Sequence, residues 1–281
     1  MAVFRRSFYL QSAAGDCCCL GPVELGNGPL NALCALPAGF DWRLFGLRPG
    51  IRLRLNPNGL RIADHGRLSL DTAHTWSPPP LPDWRYANLA NGLAVLGARL
   101  ERQSPGSGLA PLIPGLAAGE FGIQAAVAPL EPLLRPAIAP LAALVRWLEA
   151  HLLIPDDGGA VPHEAASLLG LGPGLTPSGD DFVGGMMIAL RVLGRATSAA
   201  RLGAWALALA REHTNVISYG HLRCAAAGAG AEALHEVLIA LCAGASGLDL
   251  PLQALNSIGH SSGWDALAGA VAVCRALIQK R

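Results

Sequence analysis

Gly170-Leu-Gly-Pro-Gly-Leu-Thr-Pro-Ser-Gly-Asp-Asp-Phe-Val-Gly-Gly185 begins as a loop and ends inside a helix. Gly170, Gly172 and Gly174 permit positive φ and let a ligand approach bare backbone. Pro173 and Pro177 stiffen the path. Thr176 before Pro177 reads as an N-cap followed by proline at the first helical position. Ser178 with Asp181 also fits a capping box, slightly later. The apolar run after it predicts a buried helix, with Gly184 and Gly185 permitting close packing. Unpaired N–H groups at such a helix start attract anions. Capping alone explains each residue type here. It does not explain three loop glycines, two adjacent acids at Asp180 and Asp181, or a second occurrence of the pattern.

That second occurrence lies near the C-terminus. Thr176 to Leu193 aligns without gaps on His260 to Leu277, at an offset of 84 residues. Ser178 matches Ser262, Gly179 matches Gly263, Asp181 matches Asp265, Gly185 matches Gly269 and Arg191 matches Arg275. Each copy is Ser-Gly-x-Asp-x-x-x-Gly at the head of a long apolar helix. Two readings follow: an internal duplication, or two helix starts that converge on one ligand. In the second, the Asp181 and Asp265 segments line one pocket. A further polar island, His213-Thr-Asn-Val-Ile-Ser-Tyr-Gly-His221, offers hydroxyl, amide and imidazole groups. Its Thr214 and Ser218 are four apart, so on a helix they share a face.

These residues make up the candidate site. Asp180, Asp181 and Asp265 are the candidate catalytic groups. Gly172, Gly174, Thr176, Ser178, Gly179, Thr214, Ser218, Ser262 and Gly263 are the candidate substrate or anion contacts. The two acids could orient an amide N–H, move a proton, or hold a Mg²⁺ that bridges phosphate. A bare anion would be repelled by them, so a proton or Mg²⁺ is needed to offset their charge.

Composition narrows the chemistry. Lys280 is the single lysine, which excludes a Schiff-base lysine and a phosphate loop ending in Gly-Lys-Ser/Thr. The net charge of +1 gives no bulk nucleic-acid signature. The seven cysteines include no CxxC pair, so a zinc site is not expected. Cys17-Cys-Cys19 reads as strand packing in a reducing, cytoplasmic compartment. Neither a signal peptide nor a membrane span is expected. No GxSxG elbow supports a hydrolase triad. At 281 residues, with 52% hydrophobic and 15% charged content, there is ample core for one large or two smaller domains.

An α+β architecture follows from the change of period along the chain. Up to about Trp76 the pattern is short strands and turns, such as Gly50-Ile-Arg-Leu-Arg-Leu-Asn56 and its hairpin partner Leu60-Arg-Ile-Ala63. A small barrel or sandwich over 1–78 is expected, with no chemical constellation in it. The proline linker Trp76-Ser-Pro-Pro-Pro-Leu-Pro82 then leads into an α-rich domain over 79–281. Helices are expected from Asp83 through Leu100, from Leu141 to Leu153, from Val161 to Leu169, from the glycine loop onward, from Ser198 to Glu212, from Ala231 to Leu241 and from Trp264 to Ile278. Gln103 to Pro114 reads as loop.

Three stretches together, GLGPGLTPSGDDFVGG, the run His213 to Gly228, and GHSSGWDALAG, resemble the bacterial AllH family. The resemblance covers most of the chain. It implies a subunit of oxamate carbamoyltransferase in anaerobic allantoin breakdown, working with other enzyme subunits. The implied reaction joins oxalurate and phosphate to give oxamate and carbamoyl phosphate. Small anions of this kind suit helix starts without lysine. The Ser-x-Arg-Thr-Arg signature of the familiar carbamoyltransferases is absent, so their fold and mechanism do not transfer. The alternative is a non-catalytic anion- or nucleotide-binding accessory subunit. Neither reading involves nucleic acid or a membrane as partner.

Overall fold

In the computed structural model, the described residues are 2–37, 39–62, 66–80, 83–103, 105–121, 130–152 and 159–279. The chain divides into two compact units, Met1–Ser77 and Pro78–Arg281.

The first unit carries two three-stranded sheets. Strands β1 (Phe8–Gln11), β2 (Cys17–Pro22) and β3 (Asn31–Cys34) form one, with β1 antiparallel and β3 parallel to β2. Strands β4 (Arg54–Asn56), β5 (Gly59–Ile62) and β6 (Gly66–Ser69) form an antiparallel meander, joined by the expected turn before Gly59. Both sheets feed one small core of Phe8, Leu20, Trp42, Leu47, Leu60 and Ile62. Trp42 anchors it: its ring meets Phe8 edge-on at 4.7 Å and its indole N–H donates to the Arg6 carbonyl at 3.1 Å. Leu53, Leu60 and Ile62 of the alternating stretches face this core, whereas Ile51 and Leu55 are exposed and the strand expected from Gly50 begins at Arg54; α+β describes the observed architecture.

The second unit is helical. Among the described residues its helices are α1 (Tyr86–Arg102), α2 (Ile113–Ala118), α3 (Ile138–His151), α4 (Ser178–Val192), α5 (Ala196–His213), α6 (Val216–Ala226), α7 (Glu232–Cys242), α8 (Asp249–Asn256) and α9 (Ser262–Gln279). A 3-10 turn at His163–Leu168 precedes the glycine loop. Leu89, Leu93, Leu96 and Leu100 form the buried stripe of α1, as their spacing predicts. Three helices are not legible in the sequence: α2, α6, which occupies the polar island after His213, and α8. The loop expected over Gln103 to Pro114 already contains the start of α2, and α8 is short, with only Leu252 and Leu255 as its buried stripe. The helix expected from Leu141 begins at Ile138 instead, because Pro140 falls in the first turn, where its missing N–H costs nothing. The Val161–Leu169 helix is the 3-10 turn.

At the centre of this unit α4 lies on α9, the most extensive helix pairing in the molecule. Glycine makes that approach possible. A Cβ on Gly185 would overlap the Ala266 carbonyl oxygen, and a Cβ on Gly269 would overlap that of Phe182. Gly185 matches Gly269 and Phe182 matches Ala266 in the repeat, so the contact is reciprocal. The surroundings follow the same pseudo-twofold rule. The α5–α6 pair packs on α4, and the α1–α2 pair packs on α9. The helix starts are braced alike: Gly179 abuts the Leu168 carbonyl, and Gly263 abuts that of Leu255. Arg191 Nε donates to the Ala226 carbonyl at the end of α6, and Arg275 lies against Gly119 at the end of α2. Both placements put a cation at a helix C-terminus, where the dipole favours it. The two copies thus pack reciprocally through their glycines, and their helix starts also meet.

Candidate functional site

The crossing of α4 and α9 brings the two N-termini together. Thr176 Oγ1 and Ser262 Oγ lie 2.7 Å apart, one from each copy. Beneath them the copies exchange partners. Ser262 interacts with the Asp181 carboxyl, and Ser178 with the Asp265 carboxyl. Because Ser178 matches Ser262 and Asp181 matches Asp265, this crossed pairing is the polar counterpart of the reciprocal glycine contact.

Asp180 is fully engaged. Its Oδ1 accepts from the Gly170 N–H at 2.8 Å, and its Oδ2 accepts from the Ser218 hydroxyl at 2.6 Å and from the Thr214 hydroxyl. Asp180 and Ser218 are 2% and 1% exposed, so this carboxylate is a buried clamp. It ties the glycine loop, α4 and the α5–α6 junction together. Thr214 and Ser218 do meet at one point, but not as helical neighbours. Thr214 is extended at the C-cap of α5, and Ser218 is in the first turn of α6, which Asn215 caps by accepting from Ile217 and Ser218 N–H. Asn215 also reaches back to the Leu175 carbonyl at 2.8 Å, fixing the glycine loop from a second side.

Asp265 plays a parallel part. Buried completely, it accepts from the Leu109 N–H at 2.6 Å and the Ser261 hydroxyl at 2.9 Å. It thereby holds the α1–α2 junction. Gly108 adopts φ +61, and a Cβ there would collide with the same carboxylate, so only glycine lets this loop wrap the acid. Burial pushes the Asp265 carboxyl above the ordinary aspartate range, while the Leu109 N–H and the Ser178 and Ser261 hydroxyls pull it back. The participation of Leu109 and Ser261 is not visible in the sequence. Only the glycine at 108 signalled that the loop there needs an unusual backbone.

Asp181 differs from both. Its residue surface is only partly covered, yet its Oδ2 is sealed from solvent and has no hydrogen-bond partner. Burial raises its carboxyl well above the ordinary range, and the neighbouring Asp265 and Asp180 charges add to this. The Ser262 and Thr176 hydroxyls act in the opposite direction. The physical result is a carboxyl biased toward its neutral acid form, which can donate a hydrogen bond or a proton.

The helix start itself departs from the expected capping. Pro177, not Thr176, is the N-cap residue of α4, and no side chain caps it. The Thr176 hydroxyl has instead crossed to Ser262. The capping-box reading fails for the same reason: Ser178 is already the first helical residue, and its side chain faces Asp265. Several backbone donors are used within the chain. Gly170 N–H goes to Asp180 and Gly179 N–H to the Leu171 carbonyl at 3.0 Å, while Gly263 N–H points to the Ile258 carbonyl at 3.4 Å. Gly172 folds over the N-terminus of α4 beside Ser178 N, and Gly174 stands in open space at φ +93. One turn beyond Ser218, burial pushes His221 down to about 4, which keeps its ring neutral.

These residues do not fit a Mg²⁺ cage. Both Asp180 oxygens are committed to N–H and O–H donors, and Asp181 alone offers a free oxygen. Among the described residues, no group of three or more His, Cys, Asp or Glu could hold a metal ion. No helix among them is long and apolar enough to cross a membrane.

Residues 168–274 match the family model described as oxamate carbamoyltransferase subunit AllH. The matched segment begins at the end of the 3-10 turn and contains the glycine loop, the α5–α6 island and both Ser-Gly-x-Asp helix starts. It is narrower than the resemblance, which covers most of the chain, and it leaves the β unit and α1 to α3 outside. No curated protein and no solved structure matches.

Proposed function

We propose that the chain is a subunit of an oxamate carbamoyltransferase-like enzyme, and that the joined starts of α4 and α9 handle its small anionic substrate. The carrying observation is the Asp181 carboxyl, which is raised in pKa, lacks a partner at Oδ2, and sits beside the paired hydroxyls of Thr176 and Ser262. The match over 168–274 supports the reaction class. In this reading the reaction moves a carbamoyl group between oxalurate and phosphate. A phosphate oxygen bonds to the ureido carbon of oxalurate, and the C–N bond to oxamate breaks. The departing nitrogen takes the proton of Asp181, and the proton of hydrogen phosphate restores it. Carbamoyl phosphate and oxamate leave with atoms and charge balanced.

The other residues take supporting roles. Thr176, Ser262 and the loop backbone at Gly172 and Gly174 contact substrate oxygens. Neutral Asp181 removes the repulsion that a carboxylate would exert on an anion there. Asp180 and Asp265 position the walls rather than react, since their oxygens already accept from two or more donors each. Thr214 and Ser218 act through Asp180, while Ser178, Gly179 and Gly263 hold the crossing.

The test uses the chain assembled with its companion subunits. Asp181→Asn should lower turnover of oxamate and carbamoyl phosphate by about 10²–10⁴-fold, the usual worth of a positioned acid. Binding of carbamoyl phosphate to the same variant, read by calorimetry, should persist within a few-fold. Full activity in Asp181→Asn would overturn the acid role. Absence of phosphate and carbamoyl phosphate binding to wild type, with or without Mg²⁺, would overturn the site.

A further inference from the structure

Three arginines stand in a row across the β4–β5–β6 sheet. Arg54 is the register partner of Arg61, and Arg61 is the partner of Arg67. Directly opposed residues in an antiparallel sheet share a face, and adjacent strands lie about 4.8 Å apart. The three side chains therefore leave one face as a line about 10 Å long. All three residues are exposed. The opposite face is apolar: Leu60 is 4% exposed within the core, with Leu68 packed beside it.

Like charges placed directly opposite each other destabilise a sheet, so this row works against the fold. A solvated face would ordinarily mix signs or carry threonine. Here the Met1–Ser77 unit holds eight arginines against five carboxylates, a net charge of +3 when the whole chain is +1. Among the described residues the ion pairs of this unit are Arg6–Glu24 and Arg43–Asp41, and none involves the row. Arg67 is prearranged. Its Nη2 donates to the Asn58 carbonyl at 2.6 Å, and its Nε lies 2.9 Å from where a Cβ of Gly59 would be. The missing side chain at Gly59 lets this guanidinium lie across β5 at the β4–β5 turn.

We propose that the arginine row is a docking surface for an acidic segment of another protein chain, whose carboxylates pair with Arg54, Arg61 and Arg67. Guanidinium groups meet carboxylates with two parallel N–H donors, so a short row suits successive carboxylates. Charge complementarity selects the occupant. Single-stranded nucleic acid is a poorer fit, because stacking platforms are built from aromatic rings and β4, β5 and β6 contain none. The inference is independent of the site at α4 and α9.

The test titrates a poly-L-glutamate peptide of about ten residues into the full chain at low and at physiological salt. Binding that weakens with salt is expected. Arg54→Ser and Arg61→Ser should each reduce affinity by up to about fivefold, the range of an exposed ion pair, and more together. Arg99→Ser, in the helical unit, is the control and should leave affinity unchanged. The double variant should melt no lower than wild type, since it relieves repulsion, so lost binding cannot be ascribed to unfolding. Absence of peptide binding at low salt would overturn the proposal. So would equal binding by the double variant, or tighter binding of a single-stranded oligonucleotide or of anionic phosphatidylglycerol vesicles than of the peptide.

Discussion

The two helix starts share a motif but divide its work differently. At the head of α9, one acid does everything: Asp265 binds the α1–α2 junction through Leu109 and is used up in doing so. The residue before it is Trp264, a buried ring whose N–H donates to Asn256 at 2.8 Å. At the head of α4 the matching position holds Asp180, and this acid has taken over the anchoring role, binding Gly170, Thr214 and Ser218. Asp181, the true counterpart of Asp265, is thereby released from structural duty and keeps an unpartnered oxygen. Replacing one aromatic position by a second acid is thus the change that converts a brace into a candidate reactive group. The half with the spare acid is the half to test for chemistry.

What the halves have in common should break hardest. Gly185→Val and Gly269→Val each place a side chain into the opposing helix backbone, where no rotamer can relieve the overlap. Each should destabilise by about 4 kcal/mol or more, beyond the ordinary cost of overpacking, because backbone rather than a side chain must move. Denaturant unfolding followed by circular dichroism is the measurement. If one variant unfolds the helical unit and the other is benign, the reciprocal packing is wrong.

The anchoring acids come next. Asp180→Ala leaves the Gly170 N–H and two hydroxyls without their acceptor, and Asp265→Ala does the same to the Leu109 N–H and Ser261. Each should cost about 3 kcal/mol, the toll for unsatisfied buried donors that had faced a charged group. Similar costs for Asp180 and Asp265, with a much smaller one for Asp181→Ala, would sharpen the division of labour. A larger cost for Asp181→Ala than for Asp180→Ala would remove it.

Much of this was legible because repetition is a property of sequence, and the gapless alignment already linked the two helix starts. The residue types also announced a polar helix entry. What the sequence could not supply was which partner each group chooses. Thr176 reads as a cap by local rules, yet a hydroxyl from a residue 86 positions away outcompetes the local N–H. Asp180 and Asp181 look interchangeable in one dimension. Only the helical turn between them sends the first to Thr214 and Ser218 and leaves the second facing Ser262. The strand pattern was clear from period-two alternation, whereas the arginine row depends on register, which neighbouring turns fix and single strands do not reveal. The turn chemistry of Pro155-Asp-Asp-Gly-Gly159 predicts that Asp156 and Asp157 are solvated, and both lie outside the described residues.

A pH experiment separates Asp181 from the anchors with a smaller signal. Its carboxyl is raised in the folded state, so the folded protein binds more protons than the unfolded chain above the ordinary aspartate value. Stability attributable to this group is therefore highest at low pH, falls as pH rises from about 4 through the raised value, and is constant above it. Asp181→Asn removes that slope. The variant should gain Tm relative to wild type between pH 4 and pH 8, with most of the gain at the upper end. A variant that is uniformly less stable at every pH would mean that the carboxylate is favourably bound, contrary to its unpartnered oxygen.

The smallest expected effect lies one residue before the crossing glycine. Gly184 matches Ala268 in the second copy, so the two halves differ there by one methyl group. Ala268 is fully buried, so its half holds that methyl inside the core. A Cβ on Gly184 would meet the Ala225 Cβ at 3.7 Å and Leu222 Cδ2 at 4.0 Å, which is ordinary van der Waals contact with α6. Nothing in the packing therefore demands glycine at this position, in contrast to Gly185. Glycine inside a helix carries an entropic penalty of roughly 0.5–1 kcal/mol relative to alanine. Gly184→Ala should recover about that amount, read as a rise in denaturant midpoint at unchanged slope, with the Asp180 clamp and the α4–α9 crossing intact. A loss of 1 kcal/mol or more, on the order of an overpacking cost, would show that α6 sits closer to α4 than α2 does to α9. The halves would then differ in packing as well as in acids.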